Sequence, residues 1–85
     1  MKTQELLYQY AARKSDFQGA NLADAALSGV NLSRADFSRA DLSRADLSHA
    51  ELSGTSFRQT NLTNADLSGA DLTGANLTEV VRIVG

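Results

Sequence analysis

The chain contains no cysteine, no proline and no tryptophan, and it has one methionine and one histidine among its 85 residues. Without cysteine it can form neither a disulfide nor a thiolate metal site. Disulfides therefore cannot reinforce a core that, at this length, is only marginally stable in an ordinary globular domain.

The chain also lacks strong charge and long apolar runs. Its net charge of -2 is too small to indicate nucleic acid or a membrane surface as a partner. No apolar run approaches the roughly 18 residues that a membrane-spanning helix needs. The segment 1–7 lacks the long apolar stretch of a signal peptide. We therefore expect a cytoplasmic protein with no membrane contact and no direct nucleic-acid binding.

What the sequence has instead is a five-residue repeat, which divides residues 15–79 into thirteen units. The first place of each unit is small, the second is mostly Asp or Asn, and the fourth is mostly Ser or Thr. The third place is always Leu or Phe, which predicts a structural core of Phe17, Leu22, Leu27, Leu32, Phe37, Leu42, Leu47, Leu52, Phe57, Leu62, Leu67, Leu72 and Leu77.

A five-residue period fits neither a helix nor a straight strand. On an α-helix, successive third-place residues step about 140° around the axis and form no stripe. On a strand, an odd spacing places them on opposite faces. They stay inside only if the chain turns once per unit, and Asp, Asn, Ser, Thr and Gly favour such turns.

The three phenylalanines predict how many units close one coil. Phe17, Phe37 and Phe57 are separated by twenty residues each, which is four units. A four-sided coil stacks them in one column, with the leucines in three further columns and the small first-place residues in the corners. Ser38, in the fourth place beside Phe37, is expected to point outward into solvent.

Units of the form Ala-(Asp or Asn)-Leu-X-X resemble those of the pentapeptide-repeat proteins, and the resemblance covers Ser15 to Glu79. It implies an all-β fold, a right-handed quadrilateral β-helix (a β-solenoid), here of just over three coils. Residues 5–17 also look like the leader of some cyanobacterial members. The units TSFRQ and AALSG depart most from the pattern but keep its inward places.

The ends of a solenoid expose backbone and core, so they need special segments. Residues 1–14 are predicted to form an N-terminal capping helix that lids the first coil. Its helical part spans residues 3–12, with Thr3 as N-cap and an apolar side formed by Leu6, Leu7, Tyr10 and Ala11. Residues 15–79 form the repeat domain, and residues 80–85 form a C-terminal end segment.

At the C-terminal end, Arg82 falls where the next core leucine belongs. Burying it unpaired costs several kcal/mol, so regular winding is predicted to stop near Val80. The apolar residues around it predict a dimer interface of Val80, Val81, Ile83 and Val84. The alternative is that this segment folds back over its own last coil.

The sequence contains few candidates for a catalytic or binding site. His49 occupies an outward fifth place and is interpreted as a solvated turn residue. The repeated acids are interpreted as turn residues, because they recur once per unit: Asp36, Asp41, Asp46, Asp66 and Asp71. We therefore predict no catalytic, cofactor-binding or metal-binding residues and no cofactor.

The arginines form a pattern of their own. Arg34, Arg39 and Arg44 lie in successive units, with Arg58 further on, and the square coil places the first three on different sides. A phosphate-binding strip would keep them on one side. They are therefore interpreted as a solvated, locally paired ring rather than as an anion site.

These observations favour a non-catalytic scaffold or protein-interaction module, whose partner is a protein, over an enzyme. The alternative is a DNA-mimicking topoisomerase (gyrase) inhibitor, by resemblance to the quinolone-resistance pentapeptide proteins. Those proteins are longer, dimeric rods with strongly acidic faces, whereas residues 15–79 here carry nine acids against four arginines. Absence of inhibition in a gyrase supercoiling assay would exclude this alternative.

Overall fold

The computed structural model describes residues 1–83, and within them the chain is a β-helix solenoid preceded by one α-helix. The helix α1 is Thr3–Ala11. The strands β1 (Asn61–Leu62) and β2 (Arg82–Ile83) pair in parallel. Over this described part, no helix is long and apolar enough to cross a membrane.

Isolated parallel bridges connect the turns of the solenoid, and each links residues twenty positions apart. Asp16 pairs with Asp36, and Asp36 in turn pairs with Ser56. The backbone hydrogen bonds lie on either side of this spacing. The amide of Leu22 donates to the carbonyl of Asp41 at 2.7 Å, nineteen positions on, and the amide of Asp41 donates to the carbonyl of Ala20 at 2.9 Å, twenty-one positions back. One coil therefore takes four five-residue units.

A β-turn ends each unit and redirects the chain. The amide of Ala20 donates to the carbonyl of Phe17 at 3.1 Å, and the same bond recurs in later units. The fifth-place residue is the third residue of this turn. It has a positive φ in every unit, from Gly19 at 68° to Glu79 at 56°. Non-glycine residues rarely adopt this conformation, so the coil imposes it at places such as Arg34 and Asn64.

The third-place side chains fill the interior. Phe17, Phe37 and Phe57 are buried and stack in a column, with ring centroids 5.3 and 5.8 Å apart and rings within 17° of parallel. The leucines from Leu22 to Leu62 are also buried. Such stacking adds about 0.5–1.5 kcal/mol per aromatic pair to the burial of the rings.

The corners of the coil hold small first-place residues, including Ala35 and Ala45, which are buried. Two units place threonine there instead. Thr55 and Thr60 are fully buried, and their hydroxyls donate to the carbonyls of Leu32 at 2.9 Å and Phe37 at 2.7 Å. Each polar group is therefore satisfied, which explains how the units that begin with threonine keep the fold.

The helix α1 covers the first coil. Leu6 is fully buried, with Leu7 and Tyr10 packed beside it. The Tyr10 hydroxyl donates to the carbonyl of Ser33 at 2.8 Å, and the amino group of Met1 donates to that of Asn21. Helix and solenoid thus share one core.

The ends of α1 differ from the prediction. The N-cap is Lys2 rather than Thr3, and it makes no side-chain capping bond. The amide of Leu6 instead bonds the Lys2 carbonyl at 3.1 Å. The helix ends at Ala11 rather than residue 12, and Ala11 is exposed, so the apolar side is narrower than its spacing suggests.

The winding continues past Val80 and then shifts by one residue. The amide of Val81 still donates to the carbonyl of Thr60 at 2.9 Å. Asn61 then pairs with Arg82 and Leu62 with Ile83, twenty-one positions apart instead of twenty. This backbone register places Ile83, and not Arg82, opposite Leu62.

Candidate functional site

The polar side chains of the outer faces are largely engaged in local hydrogen bonds. In most units a second-place carboxylate or amide oxygen accepts the fourth-place amide at 2.9–3.2 Å. The acceptors are Asp16, Asn21, Asn31, Asp36, Asp41, Asp46, Asn61, Asp66, Asp71 and Asn76. These bonds stabilise the turn, so the repeated second-place side chains have a structural role.

Several fourth-place hydroxyls donate to the same oxygen at 2.6 Å. The Ser43 hydroxyl, followed by its amide, lowers the pKa of Asp41, and Thr73 lowers that of Asp71 in the same way. This bonding also corrects the expectation for Ser38. Its hydroxyl donates to the Asp36 carboxylate, and the residue is only 7% exposed instead of pointing into solvent.

Three arginines have partners on other coils. Arg39 donates to the Gln18 side chain at 2.8 Å. Arg44 donates to both carboxylate oxygens of Asp24 at 2.8 and 3.1 Å, and this bond lowers the pKa of Asp24. Arg58 lies 4.0 Å from Glu79. Exposed pairs of this kind contribute about 0–1 kcal/mol.

Arg34 differs from the others because it borders a groove. The groove has a volume of about 260 Å³ and lies where the segment after α1 meets the first coils. It is lined by Tyr10, Arg13, Ser15, Ser33 and Arg34. The repeat pattern does not predict this groove, because Arg13 lies outside the repeat.

His49 is exposed and lies against the next coil. A Cβ built on Gly69 would be 2.5 Å from its Nδ1, so the glycine leaves room for the imidazole ring. Among the residues that the structure describes, no three His, Cys, Asp or Glu side chains are grouped to hold a metal ion.

The C-terminal end of the solenoid leaves core and backbone uncovered within residues 1–83. The amides of Leu67, Leu72 and Leu77 have no backbone partner there, whereas the corresponding amides of earlier coils bond the next coil. Leu67 and Leu72 are half-buried, and Leu77 is 37% exposed, although the repeat pattern places all three in the core. We call these three leucines with Val80 and Val81 the open end.

The residues predicted for a dimer interface contribute unequally to this surface. Val81 is 64% exposed and Val80 is half-buried. Ile83 lies in β2, and Val84 lies outside the described residues. The prediction missed the three leucines, because the repeat alone does not show which coil is the last.

Comparisons with known proteins agree with this geometry. The family model described as pentapeptide repeats matches residues 15–50 and 40–78, with eight copies. No curated protein matches the chain in a sequence comparison.

Two solved structures from the cyanobacterium Nostoc PCC 7120 are similar. One is alr5209, a pentapeptide repeat protein, at 34% identity over 93% of this chain and 74% of its own, with a TM-score of 0.45. The other is HetL, a pentapeptide repeat protein involved in heterocyst differentiation regulation. It is 29% identical over 82% of this chain and 42% of its own, with a TM-score of 0.52. The chain therefore spans less than half of HetL.

Proposed function

Because the chain belongs to the pentapeptide repeat family, we propose that it is a non-catalytic scaffold or protein-interaction module in the cytoplasm. Within the described residues, the repeated second-place acids accept hydrogen bonds from their own turns, as Asp41 and Asp71 do from amide and hydroxyl together. The involvement of HetL in a regulatory process is consistent with such a role.

The finer description of the fold belongs to the same proposal. We propose a right-handed quadrilateral β-helix of just over three coils, whose domains are the capping segment 1–14, the repeat domain 15–79 and the end segment 80–85. The support is the twenty-residue spacing of the bridges and the turn that ends each unit.

The observation that carries the proposed function is that the two ends of the solenoid are unlike. The helix α1 closes the first coil with a fully buried Leu6. At the open end, apolar side chains and unpaired backbone amides occur together, and Leu77 and Val81 are exposed. An edge of this kind favours pairing with another chain.

We propose a second copy of this chain as the occupant of the open end. The last coil presents acceptors as well as donors, since the carbonyls of Ala70 and Ala75 have no backbone partner among residues 1–83. Across a two-fold axis, the free amides of each copy can donate to the free carbonyls of the other, so neither copy keeps an unpaired edge. Among the described residues, the other exposed large apolar side chains are Met1 and Tyr8, which belong to the N-terminal segment.

Size and charge predict that this dimer is weak. The narrow dimensions of the molecule are 22 and 20 Å, so two facing ends bury on the order of 900 Å² in total, below the ~1,200–2,000 Å² of stable interfaces. The junction also brings together Asp66 and Asp71 of both copies, which are exposed acids. Salt screens their repulsion, so we expect the dimer to tighten as salt rises.

Light scattering tests this prediction. We expect a monomer–dimer equilibrium at high micromolar concentration that Val81→Lys abolishes, because the lysine adds charge to an exposed apolar position of the open end. Ala26→Lys is the matched control, because Ala26 is also an exposed apolar residue but lies on the first coil.

A chain that stays monomeric at high micromolar concentration contradicts the dimer. If Val81→Lys and Ala26→Lys dissociate the dimer equally, the interface lies elsewhere. Either result leaves the interaction role open to a different partner.

The gyrase-inhibitor alternative finds no specific support in the described residues. Asp24 is paired with Arg44 and Glu79 lies near Arg58, so arginines interrupt the acids of the outer faces. DNA mimicry needs a continuous acidic surface, because duplex DNA carries one negative charge per ≈1.7 Å of its axis.

A further inference from the structure

The groove lined by Tyr10, Arg13, Ser15, Ser33 and Arg34, here called the helix groove, combines hydrogen-bond donors with positive charge. Both arginines are exposed, and Lys14 adds a third cation beside Arg13 in the chain. The serines supply hydroxyls, and the tyrosine supplies an aromatic wall whose own hydroxyl is already donated to the Ser33 carbonyl.

These cations are not neutralised by the neighbours that the structure describes. The ion pairs within residues 1–83 are Arg44 with Asp24 and Arg58 with Glu79, and neither includes Arg13, Lys14 or Arg34. The side chain of Arg34 passes over Gly54, since its Cγ lies 3.2 Å from where a Cβ on that glycine would stand. The absence of a side chain at Gly54 therefore leaves room for the stem of Arg34 over the next coil.

We propose that the helix groove binds a phosphate monoester dianion. Arginine suits this ligand, because its planar guanidinium donates two parallel hydrogen bonds to phosphate oxygens. The volume of about 260 Å³ is slightly below the ≈300–1,000 Å³ of pockets for drug-sized ligands, which favours a phosphate group with a small part of its carrier.

The helix end opposes anion binding only weakly. A helix C-terminus carries partial negative charge on its last carbonyls. Here the carbonyl of Gln9 accepts the amide of Lys14 at 2.8 Å, and that of Tyr10 accepts the amide of Arg13 at 2.9 Å. These bonds reduce the exposed negative charge, and the positive charges of Arg13 and Arg34 line the same groove.

The position of Arg34 separates it from the rest of the arginine ring. Arg39 and Arg44 occupy the same fifth place in the next two units, but they are bonded to Gln18 and Asp24 on the preceding coil. The equivalent position before Arg34, twenty residues earlier, is Lys14. Lys14 and Arg34 are therefore two cations at equivalent positions of adjacent coils, whereas the position twenty residues before Arg44 holds its acceptor Asp24.

Titration of amide chemical shifts with O-phosphotyrosine, O-phosphoserine and AMP tests the proposal. We expect saturable binding that shifts the amides of Ser15 and Ser33. Arg13→Gln and Arg34→Gln each remove one donor pair and are expected to weaken binding about tenfold. Arg39→Gln removes the same charge outside the helix groove and is expected to change affinity less than about twofold.

The pH dependence supplies a second readout that does not rely on a variant. The second pKa of a phosphate monoester is about 6, and arginine stays protonated throughout. Phosphotyrosine affinity is therefore expected to rise between pH 5 and pH 7.5, whereas sulfate, already a dianion, shows no such rise.

The probes also distinguish the sources of the phosphate. Tighter binding of the phosphoamino acids supports a phosphorylated protein as carrier, and tighter binding of AMP supports a nucleotide. Absence of saturation by all three overturns the proposal. So does an Arg39→Gln variant that weakens binding as much as Arg34→Gln, because binding would then follow overall charge. Far-UV circular dichroism verifies that each variant is folded.

Discussion

Replacing Phe37 with alanine is expected to lower the free energy of unfolding by about 3–5 kcal/mol. Phe37 is fully buried between Phe17 and Phe57, and its ring stacks on both neighbours. Its removal leaves a cavity in the middle of the column, because the coils are held at a fixed spacing by their backbone bonds. Urea unfolding followed by circular dichroism measures the loss, which is a large part of the ~5–15 kcal/mol typical of a domain.

Tyr8→Ala is the matched control for this variant. It also truncates an aromatic residue, but Tyr8 is 77% exposed, so we expect a loss below about 0.5 kcal/mol. Comparable losses at the two positions would show that the inward register of the third place is wrong. Ser38 is unsuitable as the control, because it is buried and bonded to Asp36.

Deleting residues 1–13 is expected to abolish the cooperative thermal transition or to cause aggregation. The deletion removes Leu6 from the core and uncovers Phe17 and the leucines of the first coil. It also leaves the carbonyls of Asn21 and Ser33 without the donors that α1 and Met1 supply. Differential scanning fluorimetry and light scattering at several concentrations measure both effects.

A pair of point variants distinguishes the loss of the packing contacts of α1 from the effect of shortening the chain. Leu6→Asp places a carboxylate in the buried position and is expected to act like the deletion, whereas Tyr8→Asp, on the exposed side of the same helix, is expected to leave the melting temperature nearly unchanged. A truncated protein that remains monomeric and melts like the intact chain would show that α1 does not stabilise the solenoid.

The repeat identifies the interior of the solenoid because each third place obeys the same geometric requirement. The spacing of Phe17, Phe37 and Phe57 corresponds to the twenty-residue bridges and the stacked rings. The resemblance to pentapeptide-repeat proteins is confirmed by the family match over residues 15–78.

The sequence is less informative where the repeat stops. Arg82 suggested an interruption near Val80, but a one-residue shift of register pairs it with Asn61 and pairs Ile83 with Leu62. A period read from the sequence assumes constant spacing, so it cannot anticipate such a shift. The repeat also placed Leu77 in the core, but no further coil covers it within the described residues and it is 37% exposed.

The helix groove lay beyond sequence analysis for a different reason. It joins Tyr10 and Arg13, which precede the repeat, to Ser33 and Arg34, which lie about twenty residues further on. Only the docking of α1 on the first coil brings these segments together. The repeat pattern therefore places Arg34 in one series with Arg39 and Arg44, whereas in the folded chain Arg34 lines the same groove as Arg13.

Backbone hydrogen bonds join each twenty-residue coil to the next and leave the open end unpaired within the described residues. Amide hydrogen exchange in a dilute, monomeric sample distinguishes the paired coils from the open end. We predict strong protection of Leu22 and Leu42, whose amides bond the next coil at 2.7 and 2.8 Å, and fast exchange at Leu72 and Leu77. Protection of Leu72 and Leu77 equal to that of Leu42, or fast exchange at Leu42, would show that the coils do not pair in this way.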